Sequence, residues 1–111
     1  MFNWFRRKEQ EPIDTVTEEQ ARFDGKLLSY VTKRVPEADG STSEIVVGKD
    51  GRLCAVNSTI SIICNEAEVF RAKAEDTTCG ELMSRNGVIV KGINELSGEF
   101  ETLVAHFVYY R

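Results

Sequence analysis

From Ser43 onward the chain alternates apolar and polar residues, and Asp50-Gly51, Asn65-Glu66, Asn86-Gly87 and Ser97-Gly98 interrupt the pattern at short intervals. A period of two sends successive side chains to opposite faces of an extended strand, and the interruptions are residues that tolerate tight turns. Only a compact, largely antiparallel β unit satisfies both constraints: a bent sheet or a small barrel. The punctuation predicts several short strands over residues 44–110 and identifies no substrate.

Three hairpins are read from it. Glu44–Gly48 and Arg52–Val56 flank Lys49-Asp50-Gly51, and a two-residue Asp-Gly loop there would oppose Val47 to Cys54 and Ile45 to Val56. Thr59–Cys64 and Ala67–Ala74 meet across Asn65-Glu66, with Ile62 expected to face Val69. Val88–Asn94 and Glu99–Tyr110 are joined through Glu95-Leu96-Ser97-Gly98. The last strand is apolar on both rows, Leu103, Ala105 and Phe107 against Val104, His106 and Val108, so it is expected to be central or to wrap around a barrel with both sides covered. Thr78-Cys79-Gly80-Glu81 has the form of a capping box and predicts a short helical turn over Cys79–Ser84.

Ahead of the strands the pattern changes. Thr17-Glu18-Glu19-Gln20 is a second capping box. Phe23, Leu27, Tyr30, Val31 and Val35 follow with helical spacing, and Pro36 closes the segment. The expectation is one helix over about 17–35, although Gly25 in its middle costs about 1 kcal/mol relative to alanine. Residues 37–43 are small and polar and read as a flexible linker. The fold class expected is therefore α+β: one N-terminal helix packed on a bent antiparallel sheet or small β-barrel of about six strands. Residues 1–16 are expected to form an extended arm, and 17–111 a single domain. If the sheet is open, Glu44–Gly48 is the edge most available for pairing, and a homodimer through it follows.

Composition limits the function classes. Net charge is −4, with seven basic and eight acidic side chains in residues 1–43 and seven and ten in residues 44–111. Lys and Arg are scattered singly in an acidic background, whereas nucleic-acid binders concentrate positive charge to neutralise phosphates. Cys54, Cys64 and Cys79 are an odd set without a CxxC pair, and the basic residues near the start follow an apolar patch too short for a secretion signal. Reduced thiols and a cytoplasmic setting are expected. No apolar run reaches the roughly 20 residues that span a bilayer.

Candidate chemistry is sparse. His106 is the sole histidine and sits among apolar neighbours, so a structural role is expected. The cysteine spacings match no zinc site, and no cofactor or metal is expected. Cys79 at the start of a helical turn would be the thiol to watch, because such a position depresses a thiol pKa. Gly87 and Gly92 are spaced like phosphate-loop glycines, but Ile93 stands where Lys is needed.

Two surface clusters remain. Phe2, Trp4, Phe5, Arg6, Arg7 and Lys8 combine apolar wedges with positive charge, which suits a protein groove or weak peripheral contact with an anionic membrane. Phe70, Arg71, Lys73 and Arg85 would form the aromatic-basic patch of a nucleic-acid-binding barrel, but Glu66, Glu68, Glu75 and Asp76 surround it and core is the better reading for the Phe70 ring, which shares a face with Ile63. With no acid–base pair and no phosphate loop, the reading is a non-enzymatic protein-interaction or assembly module. A nucleic-acid-binding small β-barrel is the alternative.

Overall fold

A computed structural model describes residues 15–108, so the aromatic-basic arm at Phe2–Lys8 lies outside the described residues. The architecture is a seven-stranded antiparallel sheet curled into a half-barrel, with one short helix. Its elements run α1 (Glu18–Ala21), β1 (Leu27–Pro36), β2 (Thr42–Val56), β3 (Thr59–Cys64), β4 (Ala67–Lys73), a 3₁₀ turn (Ala74–Asp76), β5 (Thr78–Glu81), β6 (Gly87–Asn94) and β7 (Glu99–Phe107). The strand order is β4-β3-β2-β1-β7-β6-β5, so β7 returns to lie beside β1. Strand β7 is an interior strand, flanked by β1 and β6.

The inner face carries the core. Leu28, Leu53, Ile60, Ile62, Phe70, Val88, Val90 and Leu103 are fully buried there. The curl brings β4 back to the corner after β6. The Arg71 amide donates to Asn94 Oδ1 at 3.3 Å and Asn94 Nδ2 donates to the Val69 carbonyl at 3.1 Å. The Glu95 amide donates to the Arg71 carbonyl at 2.7 Å. These three bonds occupy backbone groups on the outward side of β4, an edge that would otherwise be open.

Helix α1 spans one end of the half-barrel. Its capping box is complete: Gln20 N–H donates to Thr17 Oγ1 and Thr17 N–H donates to Gln20 Oε1, both at 3.0 Å. The same Gln20 donates through Nε2 to the Ala74 and Thr77 carbonyls at 3.0 and 2.8 Å. On the other side Asp24 Oδ1 accepts from the Ala55 amide at 2.8 Å. The helix thus ties β2 to the 3₁₀ turn and the residue that leads into β5.

Several expectations are corrected. The helix read over 17–35 is four residues long, and Leu27–Pro36 is a strand. Gly25 takes φ +82°, a left-handed conformation that ends helical propagation, and the β-branched Val31, Thr32 and Val35 then favour extension. The sheet has seven strands rather than six. Residues 37–43 are the β1–β2 turn and the start of β2, with the Glu37 amide donating to the Ser41 carbonyl at 2.8 Å. Asp50-Gly51 is no hairpin loop: β2 runs through it unbroken, and Asp50 at φ 53° only kinks the strand. Thr78–Glu81 is a strand, so the second capping box does not form a helical turn.

The Asn65-Glu66 hairpin forms as read, both loop residues having positive φ. A register shift beside Ile62 sets that residue opposite Phe70 instead of Val69, and the Phe70 ring lies in the core as read. The hairpin joining β6 and β7 through residues 95–98 also forms as read.

Candidate functional site

Strand β2 is 15 residues long, but its neighbours are not. It pairs with β1 from Thr42 to Arg52 and with β3 only from Gly51 to Val56. The last contact on the β3 side is the Asn65 amide donating to the Asp50 carbonyl at 3.2 Å. Strand β3 then turns away, and among the described residues no strand covers the stretch from Thr42 to Lys49 on that side. Alternate backbone N–H and C=O groups of this stretch point outward, ready to accept a further strand.

Local sequence explains the departure. At Gly48 an added Cβ would fall 2.5 Å from Cys64 Cβ, and at Gly51 an added Cβ would fall 2.5 Å from the Ile63 carbonyl oxygen. The two glycines let β2 cross close over the end of β3, with Cys64 filling the space that side chains would take. Beyond the crossing, the register to β1 shifts: Val31 pairs with Gly48 and Thr32 with Val46, leaving Val47 as an extra residue.

The open stretch is apolar at its centre. Ile45 is 51 % and Val46 55 % exposed, on opposite faces of the strand. Glu44 is held by the Thr32 hydroxyl, which donates to Oε1 at 2.7 Å. Where β2 leaves β3, a notch of about 410 Å³ opens, lined by Val47, Gly48, Cys64, Ala67 and Val69. An incoming strand would find both a backbone ladder and a small apolar recess at its end.

The other edges are less available. The β4 edge is occupied by Asn94 and Glu95, as above. Strand β5 is four residues long. A second exposed apolar pair, Ile93 with Phe100, lies on the outer face of the β6–β7 hairpin, where backbone groups are already in the ladder.

A second cleft, of about 390 Å³, is lined by Ser29, Tyr30, Arg85, Asn86, His106 and Phe107. His106 stacks on Tyr30 across the β1–β7 pair, with ring centroids 4.2 Å apart and planes 16° from parallel. Among the described residues no acid, hydroxyl or thiol hydrogen-bonds to its ring.

The predicted nucleic-acid residues are dispersed. Phe70 has no exposed surface and offers no stacking face. Arg71 pairs with Glu68 at 3.0 Å and with Glu95 at 3.4 Å, so its charge is locally matched. Lys73 is exposed at the end of β4. Arg85 precedes β6 whereas Arg71 sits beside its far end, a separation of roughly 20 Å at 3.3 Å per residue.

The three cysteines are free thiols. Cys79 is buried in β5, and burial, reinforced by the negative charge of Glu19, pushes its thiol up to about 11. That is the opposite of the depressed value expected at a helix start. Burial, with Asp50 adding to it, also raises Cys64. Among the described residues no group of three or more His, Cys, Asp or Glu side chains is placed to hold a metal ion. No helix there is long and apolar enough to cross a membrane. Comparison with protein-family models, curated protein sequences and solved structures finds no match to this chain.

The open half of β2 was legible as an edge in the sequence, but for the wrong reason. Its place directly after the segment read as a flexible linker pointed to it, while the cause in the structure is the mismatch in length between β2 and β3.

Proposed function

We propose that the chain is a non-enzymatic interaction module that assembles by accepting an extended strand along Thr42–Lys49, in a setting where its three thiols stay reduced. The observation that carries this reading is the length mismatch: β2 has 15 residues, β1 pairs with it over Thr42–Arg52 and β3 only over Gly51–Val56, so among the described residues its first half has no strand on the β3 side. Long exposed apolar edges are a hazard that folded proteins suppress with charge, proline or cover, and one left open is best understood as a site of use. Ile45 and Val46 supply side-chain contacts on both faces of an added strand, and the ladder supplies the affinity.

Amide hydrogen exchange on the full chain tests this. The outward amides of residues 42–49 should exchange fast in dilute protein. They should slow when octapeptides alternating valine with threonine or lysine are added, while the Arg71 amide held by Asn94 stays unchanged. A peptide series that leaves residues 42–49 unprotected at every concentration, with exchange as fast at high protein concentration as at low, defeats the reading.

The nucleic-acid alternative finds less support, since its four residues do not share a face and its aromatic ring is in the core.

A further inference from the structure

We infer that the strand accepted by the open half of β2 is the same segment of a second copy, antiparallel about a two-fold axis through Ile45. The inference rests on the strand-accepting reading of this edge and names its occupant.

The β4 edge is bonded to the corner after β6, and β5 is short, so each described chain presents one long open edge. Two-fold pairing uses that edge from each copy and leaves, among the described residues, only the four-residue β5 edge, which gives a closed dimer rather than a growing sheet. A copy donating any other strand would leave its own β2 edge open and invite a third.

The register follows from alternation and charge. Residues opposed in an antiparallel pair share a face, so a two-fold axis must relate residues of the same face. An axis through Glu44 would set two carboxylates opposite each other, which destabilises a strand pair. With an axis through Val46, the match extends only as far as Ile45 against Val47. The next pair would be Glu44 against Gly48, which lie on opposite faces because Val47 is the extra residue in the register to β1. An axis through Ile45 keeps faces matched from Ser43 to Val47: Ile45 meets its own copy, Glu44 meets Val46, and Ser43 meets Val47. No like charges are opposed, and the half-exposed Ile45 side chains bury each other. The Thr32 hydroxyl already holds the Glu44 carboxylate on its own chain, so that group needs no partner from the second copy.

Directly opposed residues in an antiparallel pair have Cα atoms about 4.5–5.5 Å apart, within the range a disulfide spans, whereas residues displaced by four along the ladder are roughly 13 Å apart. The test is therefore cross-linking of full-length Ile45→Cys and Ser43→Cys by oxidised glutathione. Light scattering on the unmodified chain and on Ile45→Lys accompanies it. The expected result is a mass of two chains for the unmodified protein and one chain for Ile45→Lys. Ile45→Cys should give a covalent dimer, with Ser43→Cys and the parent at background. Ile45 is half exposed, so neither substitution removes core. A dimer that persists in Ile45→Lys, or that cross-links through Ser43→Cys instead, overturns the inference.

A protein that is monomeric at every concentration also overturns it. In that case protection of residues 42–49 by added octapeptides would leave the strand-accepting reading standing, and lack of protection would remove both.

Discussion

Asn94 donates from Nδ2 to Glu101 Oε1 at 3.0 Å, and both side chains are buried on the inner face near the β6–β7 corner. The pair is the hub that closes the half-barrel. Asn94 reaches from it to β4, and Glu101 accepts from Ser97 Oγ at 2.7 Å and from Lys33 Nζ at 3.3 Å. One carboxylate thus ties β1, β7 and the β6–β7 turn together and orients the amide that binds β4.

Stability should fall in acid through this group. Burial alone would raise the Glu101 carboxyl, but hydrogen bonds from Asn94 and Ser97 and the Lys33 ammonium outweigh it and hold it below the ordinary value of 4.5. A carboxyl with a depressed folded-state pKa contributes stability that is fully present above its unfolded value and lost as pH falls through the folded one. Urea midpoints measured from neutral pH down to about pH 3 should therefore drop below about 4.5, and the drop should shrink in Glu101→Gln. At neutral pH Glu101→Gln should already be less stable by about 1–3 kcal/mol, because Lys33 and Ser97 lose a charged acceptor. Equal acid slopes in the two proteins would remove Glu101 from this role.

Gln20→Ala should destabilise the fold by about 1–3 kcal/mol, since it strips donors from two buried carbonyls, Ala74 and Thr77, and breaks the capping box as well. Gln20→Glu is the sharper probe. It can preserve the cap acceptor but points a carboxylate at the same two carbonyls, so thermal denaturation should rank it no better than alanine. If the glutamate variant matches the parent, the contacts to β5's approach are dispensable.

The same residue shows what was readable in the sequence. The capping box at Thr17 was legible because it is local: two residues three positions apart, Thr17 and Gln20, specify it. The length of the helix was not, because Phe23, Leu27, Tyr30, Val31 and Val35 satisfy a 3.6 period by coincidence. In the structure Leu28 and Val31 face inward while Leu27 and Tyr30 are half exposed, a strand assignment disturbed by the irregularity between Leu28 and Tyr30 in the pairing to β7. Irregular register defeats a strict period of two, and a four-residue helix held by tertiary bonds from Gln20 leaves no periodic trace.

Turns divided in the same way. Asn65-Glu66 and the β6–β7 loop were found because a turn residue interrupts two clear strands. Asp50-Gly51 carries the stronger hairpin signature yet is a kink, because β1 pairs on both sides of it and propensity yields to a long ladder. Asn57-Ser58, with φ of 56° and 60°, is the real two-residue hairpin loop between β2 and β3, and serine there gave no signal. The open edge depends on where β3 stops relative to β2, a quantity that exists only once both turns are placed.

Gly51→Ala should cost about 1–3 kcal/mol, the range for forcing extra volume into a packed site. Its Cβ would meet the Ile63 carbonyl oxygen at 2.5 Å and Cys64 Sγ at 2.7 Å, and the first is backbone that cannot rotate away. Cys64→Ala should therefore fail to rescue it in a double variant. Denaturation showing full rescue would mean that the sulfur, not the backbone, sets the crossing of β2 over β3.

Thiol labelling should separate the cysteines by environment. Thiolate is the reactive form, and Cys79, pushed up to about 11, holds almost none of it at neutral pH. Cys64 is buried and also raised, whereas Cys54 sits half-buried on the outer face of β2. In native protein at pH 8, mass spectrometry after iodoacetamide should find Cys54 modified first and Cys79 modified only as the fold opens. Labelling of Cys79 should then follow denaturant concentration, with all three sites equalising once the chain is unfolded. Fast native modification of Cys79 would mean that β5 opens without global unfolding, and that this short strand, rather than β2, is the weak edge of the half-barrel.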